Sequence, residues 1–278
     1  MYKSLADICA ESEQKGLNFW EIIQKEDCME ENMTTAQSFT QMQKIYPALK
    51  SASGLVGTEG AKVRKRRMNG EMICGDLIGL VMEKALKITE SNACMKRIVA
   101  APTAGSCGVV PAVLLSIQEK KEYSDEQMTK ALYVAGGIGG VIASRASLSG
   151  AEGGCQAEIG SASAMAAGAL TYLLGGDAQC MIQAAALALK GLLGLACDPV
   201  AGLVEVPCVK RNVIGAVNAI TSADMALAGI CSKIPPDEVI DAMRSIGRSM
   251  STDIRETGKG GLAGTPTGIL IRAQISMP

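Results

Sequence analysis

From position 97 onward the chain runs in long apolar stretches of small residues broken by glycine, and it almost nowhere alternates apolar and polar residues with a period of two. Half-buried strands need that alternation, because successive side chains of a strand point to opposite faces. Apolar residues three and four apart instead share one face of a helix. The expected fold is therefore all-α, a multi-helix domain whose small-residue-rich helices are buried and pack closely. Leu5, Ile8 and Cys9 fall at helical spacing, as do Phe19, Ile22 and Ile23. Helices are expected over residues 34–50, ending near Ser53-Gly54 where glycine can turn left-handed, and over 72–88. A helix over 109–119 tolerates Pro111 only in its first turn. Ser124-Asp-Glu-Gln127 fits a capping box opening a helix to about 146. Residues 155–174, 177–193, 211–230 and 237–248 complete the set. Residues 97–101 read as extended, Pro102 biasing Ala101 away from the helical region, and 261–278 reads as a loosely held tail. With no tandem repeat in view, one helical domain over 1–278 is expected, more polar over 1–95 than over 96–278.

Composition then narrows the chemistry. The chain has no histidine, which removes His-based metal sites, Ser-His-Asp and Cys-His catalysis and any imidazole base of its own. Lys+Arg 27 against Asp+Glu 28 leave a net charge of −1, so no generalised basic surface invites nucleic acid. Aromatic residues are 3%, too few for stacking platforms. The uncharged 18-residue run 159–176 reaches the lower length of a membrane span. It is built largely from Gly, Ala and Ser and is flanked by Glu158 and Asp177, so a buried helix is expected and no membrane contact. There are ten cysteines, and residues 1–20 do not group an apolar stretch behind a basic start. That combination points to a reducing, cytoplasmic setting in which thiols stay free or bind metal. No CxxC pair occurs, so a zinc ribbon has no support.

Three stretches are unusual for simple packing. Ala101-Pro-Thr-Ala-Gly-Ser-Cys-Gly108 is a small-residue loop ahead of a helix, with hydroxyls at Thr103 and Ser106 and glycine for close backbone approach. It reads either as an anion site, for example for a substrate carboxylate, or as an ordinary capped turn. It lacks the Gly-Lys-Ser/Thr ending of a phosphate loop. Gly136-Gly-Ile-Gly-Gly140 lies inside an expected helix and serves close helix packing, since a dinucleotide fingerprint sits at a strand-to-helix turn. The other two stretches are Ser149-Gly-Ala-Glu-Gly-Gly-Cys-Gln-Ala-Glu-Ile-Gly160 and Cys197-Asp-Pro-Val-Ala-Gly-Leu-Val-Glu-Val-Pro-Cys208. Cys155 stands at an expected helix start, where the dipole stabilises a thiolate. Cys197 and Cys208 stand at chain breaks that are expected to expose them. Three such thiols suit iron, and buried structural cysteine is the alternative for each. The basic run Lys62-Val-Arg-Lys-Arg-Arg67 is either a solvated loop or helix end, or an anion site.

Taken together, Ala101-Pro-Thr-Ala-Gly-Ser-Cys-Gly-Val-Val-Pro-Ala112, residues 150–160, the segment from Cys197 to Asn212 and Gly260-Gly-Leu-Ala263 resemble the α chains of bacterial iron–sulfur-dependent L-serine dehydratases, over essentially the whole chain. The resemblance implies a helical catalytic domain in which Cys155, Cys197 and Cys208 hold a [4Fe–4S] cluster with one iron lacking a protein thiolate. That iron would act as a Lewis acid in the loss of water from L-serine, giving pyruvate and ammonium without pyridoxal phosphate. It also implies Thr103, Gly105 and Ser106 as substrate contacts and a separate β chain as partner. Against that family, the chain is expected to be of the two-chain type that starts directly with the catalytic part, and to be without the tail ligand of some single-chain relatives, Cys231 being the last cysteine of the sequence. The base is not identified; Lys65 beside Arg64, Arg66 and Arg67, a serine alkoxide or a β-chain group must serve. Glu152, Glu158 and Asn212 are candidates for orienting the cluster's surroundings, with capping as the alternative. The rivals are an L-cysteine desulfidase on the same fold and a non-catalytic iron–sulfur sensor.

Overall fold

A computed structural model of the chain describes residues 2–52, 58–96 and 98–275, and these form thirteen α-helices and no β-strand. The polar first part contributes α1 (Leu5–Lys15), α2 (Phe19–Glu30), α3 (Thr35–Ala52), α4 (Glu59–Met68) and α5 (Gly75–Ala93). The apolar part contributes α6 (Val109–Lys121), α7 (Asp125–Arg145), the single turn α8 (Gly150–Gly153), α9 (Ser161–Leu173), α10 (Ala178–Lys190), α11 (Cys208–Leu227), α12 (Pro236–Ser249) and α13 (Pro266–Ile275).

The middle of the molecule is α9, which packs against α6, α7, α10 and α11. Every residue of it except Tyr172 is buried, as its sequence requires: a helix apolar all round has no face to offer water. Its polar side chains are satisfied locally, Ser163 donating to the Gly215 carbonyl at 2.8 Å and Thr171 to the Ala167 carbonyl at 2.8 Å. The Gly136–Gly140 motif lies within α7 and serves packing. A Cβ on Gly137 would come within 2.6 Å of the Ile23 side chain, and one on Gly139 within 2.9 Å of Met165 Sδ.

Local signals placed most elements. Ser124 and Gln127 form the expected capping box of α7, Asp177 caps α10 through the Cys180 N–H at 2.7 Å, and Pro111 sits in the first turn of α6. Other expectations are corrected. Helix α11 begins at Cys208, directly after Pro207, three residues ahead of the expected start. The basic run, by contrast, forms the largely exposed end of α4 as one of its two expected readings had it, with Arg67 pairing with Glu83 and Asp76 at 3.1 and 3.0 Å. The tail is held: residues Gly261–Gly264 form a 3-10 turn and α13 follows, with Gly268 buried against the carbonyls of Leu262 and Ala263. The expected end of α3 at Ser53-Gly54, Arg97 and residues 276–278 lie outside the described residues. Among the described residues, no helix is long and apolar enough to cross a membrane.

Candidate active site

Cys155 immediately precedes a π-helical turn, Gln156–Gly160, that leads into α9. Such turns widen the helix and recur at functional sites. Buried Gln156 pins this one, donating to the Met243 carbonyl at 3.0 Å and accepting from the Gly194 N–H at 2.9 Å. Cys208 opens α11. Cys197 lies between α10 and α11, and its backbone is clamped by the chain's last quarter: its N–H donates to the Ile254 carbonyl at 2.9 Å, and its carbonyl accepts from the Glu256 N–H at 2.7 Å.

All three thiols are buried, with side chains of Cys155, Cys197 and Cys208 at 1%, 2% and 5% exposure. Chain breaks therefore do not expose Cys197 and Cys208; at Cys197 and Asp198 the chain's residues Ile254, Glu256 and Leu262 return to pair with the break. The helix dipole does not prevail at Cys155 either. Burial pushes its thiol up to about 12 and that of Cys208 to about 11, with Arg211 opposing both shifts. The Cys197 thiol is also raised, by burial first and then by the charges of Cys155, Glu158 and Cys208. The three groups are thus near enough to act on one another. Arg211 donates to the Ala196 carbonyl at 2.7 Å, pairs with Asp198 at 2.8 Å and hydrogen-bonds the Cys155 sulfur. Asp198 in turn accepts from the Leu262 N–H at 2.8 Å, which ties the returning segment down.

The loop before α6 meets this cluster of thiols. Thr103 donates to Glu158 Oε1 at 2.8 Å, and the Thr103 and Ser106 hydroxyls are 2.9 Å apart. Glu158 Oε2 lies 4.0 Å from Cys197 Sγ. Two glycines make room for that carboxylate: a Cβ on Gly105 would stand 2.8 Å from Oε1, and one on Gly150 2.9 Å from both Oε2 and Cys197 Sγ. Asn212, fully buried, links loop and helix by accepting from the Gly108 N–H at 2.9 Å and donating to the carbonyls of Gly105 at 2.7 Å and Cys208 at 2.9 Å.

The structure therefore brings Thr103, Gly105, Ser106, Glu158, Asn212 and the three cysteines together. Glu152 is exposed, and so is Lys65 on α4; neither joins them. Sequence reasoning missed Arg211, Asp198 and Glu256. The first two stood inside the quoted cysteine segment, and a charged pair beside apolar residues was the available signal. Glu256 gave none; it adopts φ 64°, sparsely populated by residues other than glycine, beside Cys197 and with its carboxylate against Gly150.

A family model described as serine dehydratase alpha chain matches residues 14–263. The chain belongs to the serine dehydratase alpha chain family. A Bacillus subtilis protein named probable L-serine dehydratase, alpha chain, is 51% identical over 89% of this chain and 82% of its own length. The L-serine dehydratase, alpha chain, of Peptoniphilus asaccharolyticus is 40% identical over 97% of this chain and 96% of its own. The L-serine dehydratase 1 of Escherichia coli is 41% identical over 75% of this chain, which corresponds to only 47% of that longer protein.

Family membership poses a fit question for an iron–sulfur cluster. Among the described residues, no three cysteine or acidic side chains stand closely enough to hold one metal ion. A four-iron cluster makes a different demand, since each thiolate binds a different iron and the ligands stand farther apart. Three mutually interacting buried thiols, one guanidinium beside them and Cβ-free backbone at Gly150 suit that demand.

Proposed function

We propose that this chain is the α chain of an L-serine dehydratase that converts L-serine to pyruvate and ammonium in the cytoplasm, together with a separate β chain. Residues 1–278 act as one helical catalytic unit, and Cys155, Cys197 and Cys208 hold a [4Fe–4S] cluster with one iron free of protein thiolate. The observation that carries the reading is the meeting of three buried cysteines from three separate segments with the Thr103–Ser106 loop through Glu158.

The chemistry such a cluster supplies when bound is Lewis acidity toward the substrate hydroxyl, which is a poor leaving group on its own. The chain's residues supply the rest. Thr103, Gly105 and Ser106 line the position of the substrate, and Asn212 fixes their loop to the first turn of α11. Arg211 places a positive charge against Cys155 and so favours the thiolate form needed for ligation. Burial keeps water from the sulfurs, and Asp198 ties down the returning segment. Loss of the α-proton and the hydroxyl leaves aminoacrylate, whose imine tautomer takes up water to give pyruvate and ammonium. Because the chain has no histidine and Lys65 is exposed on α4, we favour a base on the β chain.

Anaerobic reconstitution with iron and sulfide, addition of the β chain, and measurement of pyruvate from L-serine and L-cysteine in parallel test the proposal. Pyruvate from serine, lost in air and restored by ferrous iron, is expected. Turnover of cysteine alone would move the chain to a desulfidase activity, and a cluster without either activity would make it a sensor.

A further inference from the structure

Glu158 is a buried carboxylate with no lysine or arginine partner among the described residues. Its neighbours are the Thr103 hydroxyl, the Cys197 thiol and, across Gly150, the Glu256 carboxylate. A buried carboxyl without a cation either stays protonated or, when ionised, is half of an ion pair that a bound cation completes. The surrounding hydrogen bonds point the same way. Thr103 spends its hydroxyl hydrogen on Oε1, so Ser106 must donate to Thr103 across their 2.9 Å contact. The backbone N–H groups of Ser106, Cys107 and Gly108 are already taken by Thr103 Oγ1, the Ala104 carbonyl and Asn212 Oδ1. These donors are spent on the loop itself and on Asn212, and the group the loop meets at the site is the Glu158 carboxylate, which suits a cation. Among the described residues, Oε2 has only the Cys197 thiol as a donor, at 4.0 Å, and a cysteine ligated as thiolate has no proton to give.

We propose that Glu158 is the residue that binds the α-ammonium group of L-serine, with Thr103 holding its carboxylate in place. This rests on the serine dehydratase reading and assigns one substrate group within it. The ammonium supplies the missing positive charge and donors for Oε2, and it leaves the substrate carboxylate and hydroxyl to face the cysteine side. Selectivity for amino acids over hydroxy acids of the same shape follows.

The test uses the iron-loaded α–β complex under anaerobic conditions and two ligands that lack an α-proton. α-Methyl-L-serine carries an ammonium group; 3-hydroxy-2,2-dimethylpropanoate has a methyl in its place. Calorimetric binding to wild type and to Glu158→Gln is compared, with iron and sulfide content measured on both. A charge-assisted hydrogen bond corresponds to a 10- to 100-fold effect, roughly. Glu158→Gln is expected to weaken α-methyl-L-serine by that factor, to leave the methyl analogue within about twofold, and to raise the KM for L-serine more than it lowers kcat. If Glu158→Gln fails to load iron, Gly105→Ala carries the same comparison, because its methyl would displace Oε1 without removing it. Unchanged affinity for α-methyl-L-serine, equal loss for both ligands, or a fall in kcat at constant KM would each overturn the assignment. Should wild type bind α-methyl-L-serine too weakly to measure, the KM and kcat comparison decides. A wild-type complex that makes no pyruvate from serine would instead overturn the function on which the assignment rests.

Discussion

Replacing Asn212 with alanine tests whether the substrate loop and the cysteine-bearing helix are one unit. Asn212 is fully buried and makes three hydrogen bonds, to Gly108 N–H, the Gly105 carbonyl and the Cys208 carbonyl, at 2.9, 2.7 and 2.9 Å. The largest loss is the buried Gly108 N–H, which keeps no acceptor; leaving such a donor unpaired costs about 1–3 kcal/mol. The Gly105 carbonyl is partly exposed and can turn to water, and the Cys208 carbonyl starts the helical ladder of α11. The sum is about 3 kcal/mol, a large share of the roughly 5–15 kcal/mol that hold a protein folded. At about 2–3 °C per kcal/mol for a chain of this size, the melting temperature should fall by roughly 5–10 °C. Asn212→Asp separates the contributions. It keeps the acceptor for Gly108 but turns a carboxylate oxygen toward the carbonyls of Gly105 and Cys208, so it should destabilise at least as much as alanine. Scanning calorimetry of the chain measures both, and the KM for L-serine in the reconstituted complex should rise in each. A fall of less than about 2 °C for Asn212→Ala, or an Asp variant more stable than the Ala variant, would refute the reasoning.

Alanine at Cys155, Cys197 or Cys208 should abolish bound iron and sulfide, whereas alanine at Cys180 or Cys231 should not; loss of iron in either of the last two would break the ligand assignment. Because burial holds the Cys155 and Cys208 thiols at about 12 and about 11, each must release a proton to bind iron. Cluster loading should therefore weaken as pH falls, by about tenfold per pH unit for each thiol titrated, and equal iron affinity at acidic and alkaline pH would contradict this. Within α7, Gly136 has open space at its Cβ position while Gly137 faces Ile23 and Phe19. Alanine gains the same helix propensity at both, about 1 kcal/mol, so Gly137→Ala should be about 1–3 kcal/mol less stable than Gly136→Ala in urea unfolding, and equal stability would remove the packing argument. The chain without its β chain should make little or no pyruvate, which a direct assay of the two states checks.

What could be read from the sequence was whatever short-range physics decides. Helix α9 announced itself because its residues are apolar on every side, and α7 because Ser124 and Gln127 cap it within four positions. The segments that misled are those whose state is set from far along the chain. Cys197 looked exposed at a chain break, yet Ile254 and Glu256 pair with its backbone; the tail looked loose, yet Asp198 accepts from the Leu262 N–H. A period of 3.6 carries no information about such returns. The candidate site divides in the same way. Its cysteines and its small-residue loop stood out by composition, but the group that joins them is Glu158, which in the sequence is one acid at the edge of an apolar run, as apt to cap a helix as to bind anything. Its meaning comes from what surrounds it: two glycines that leave it room, a threonine that spends its only hydrogen on it, and, among the described residues, no lysine or arginine paired with it. On the proposal made above, a charge buried on those terms is completed by what binds there, and the ammonium group of an amino-acid substrate is a charged group that can do so.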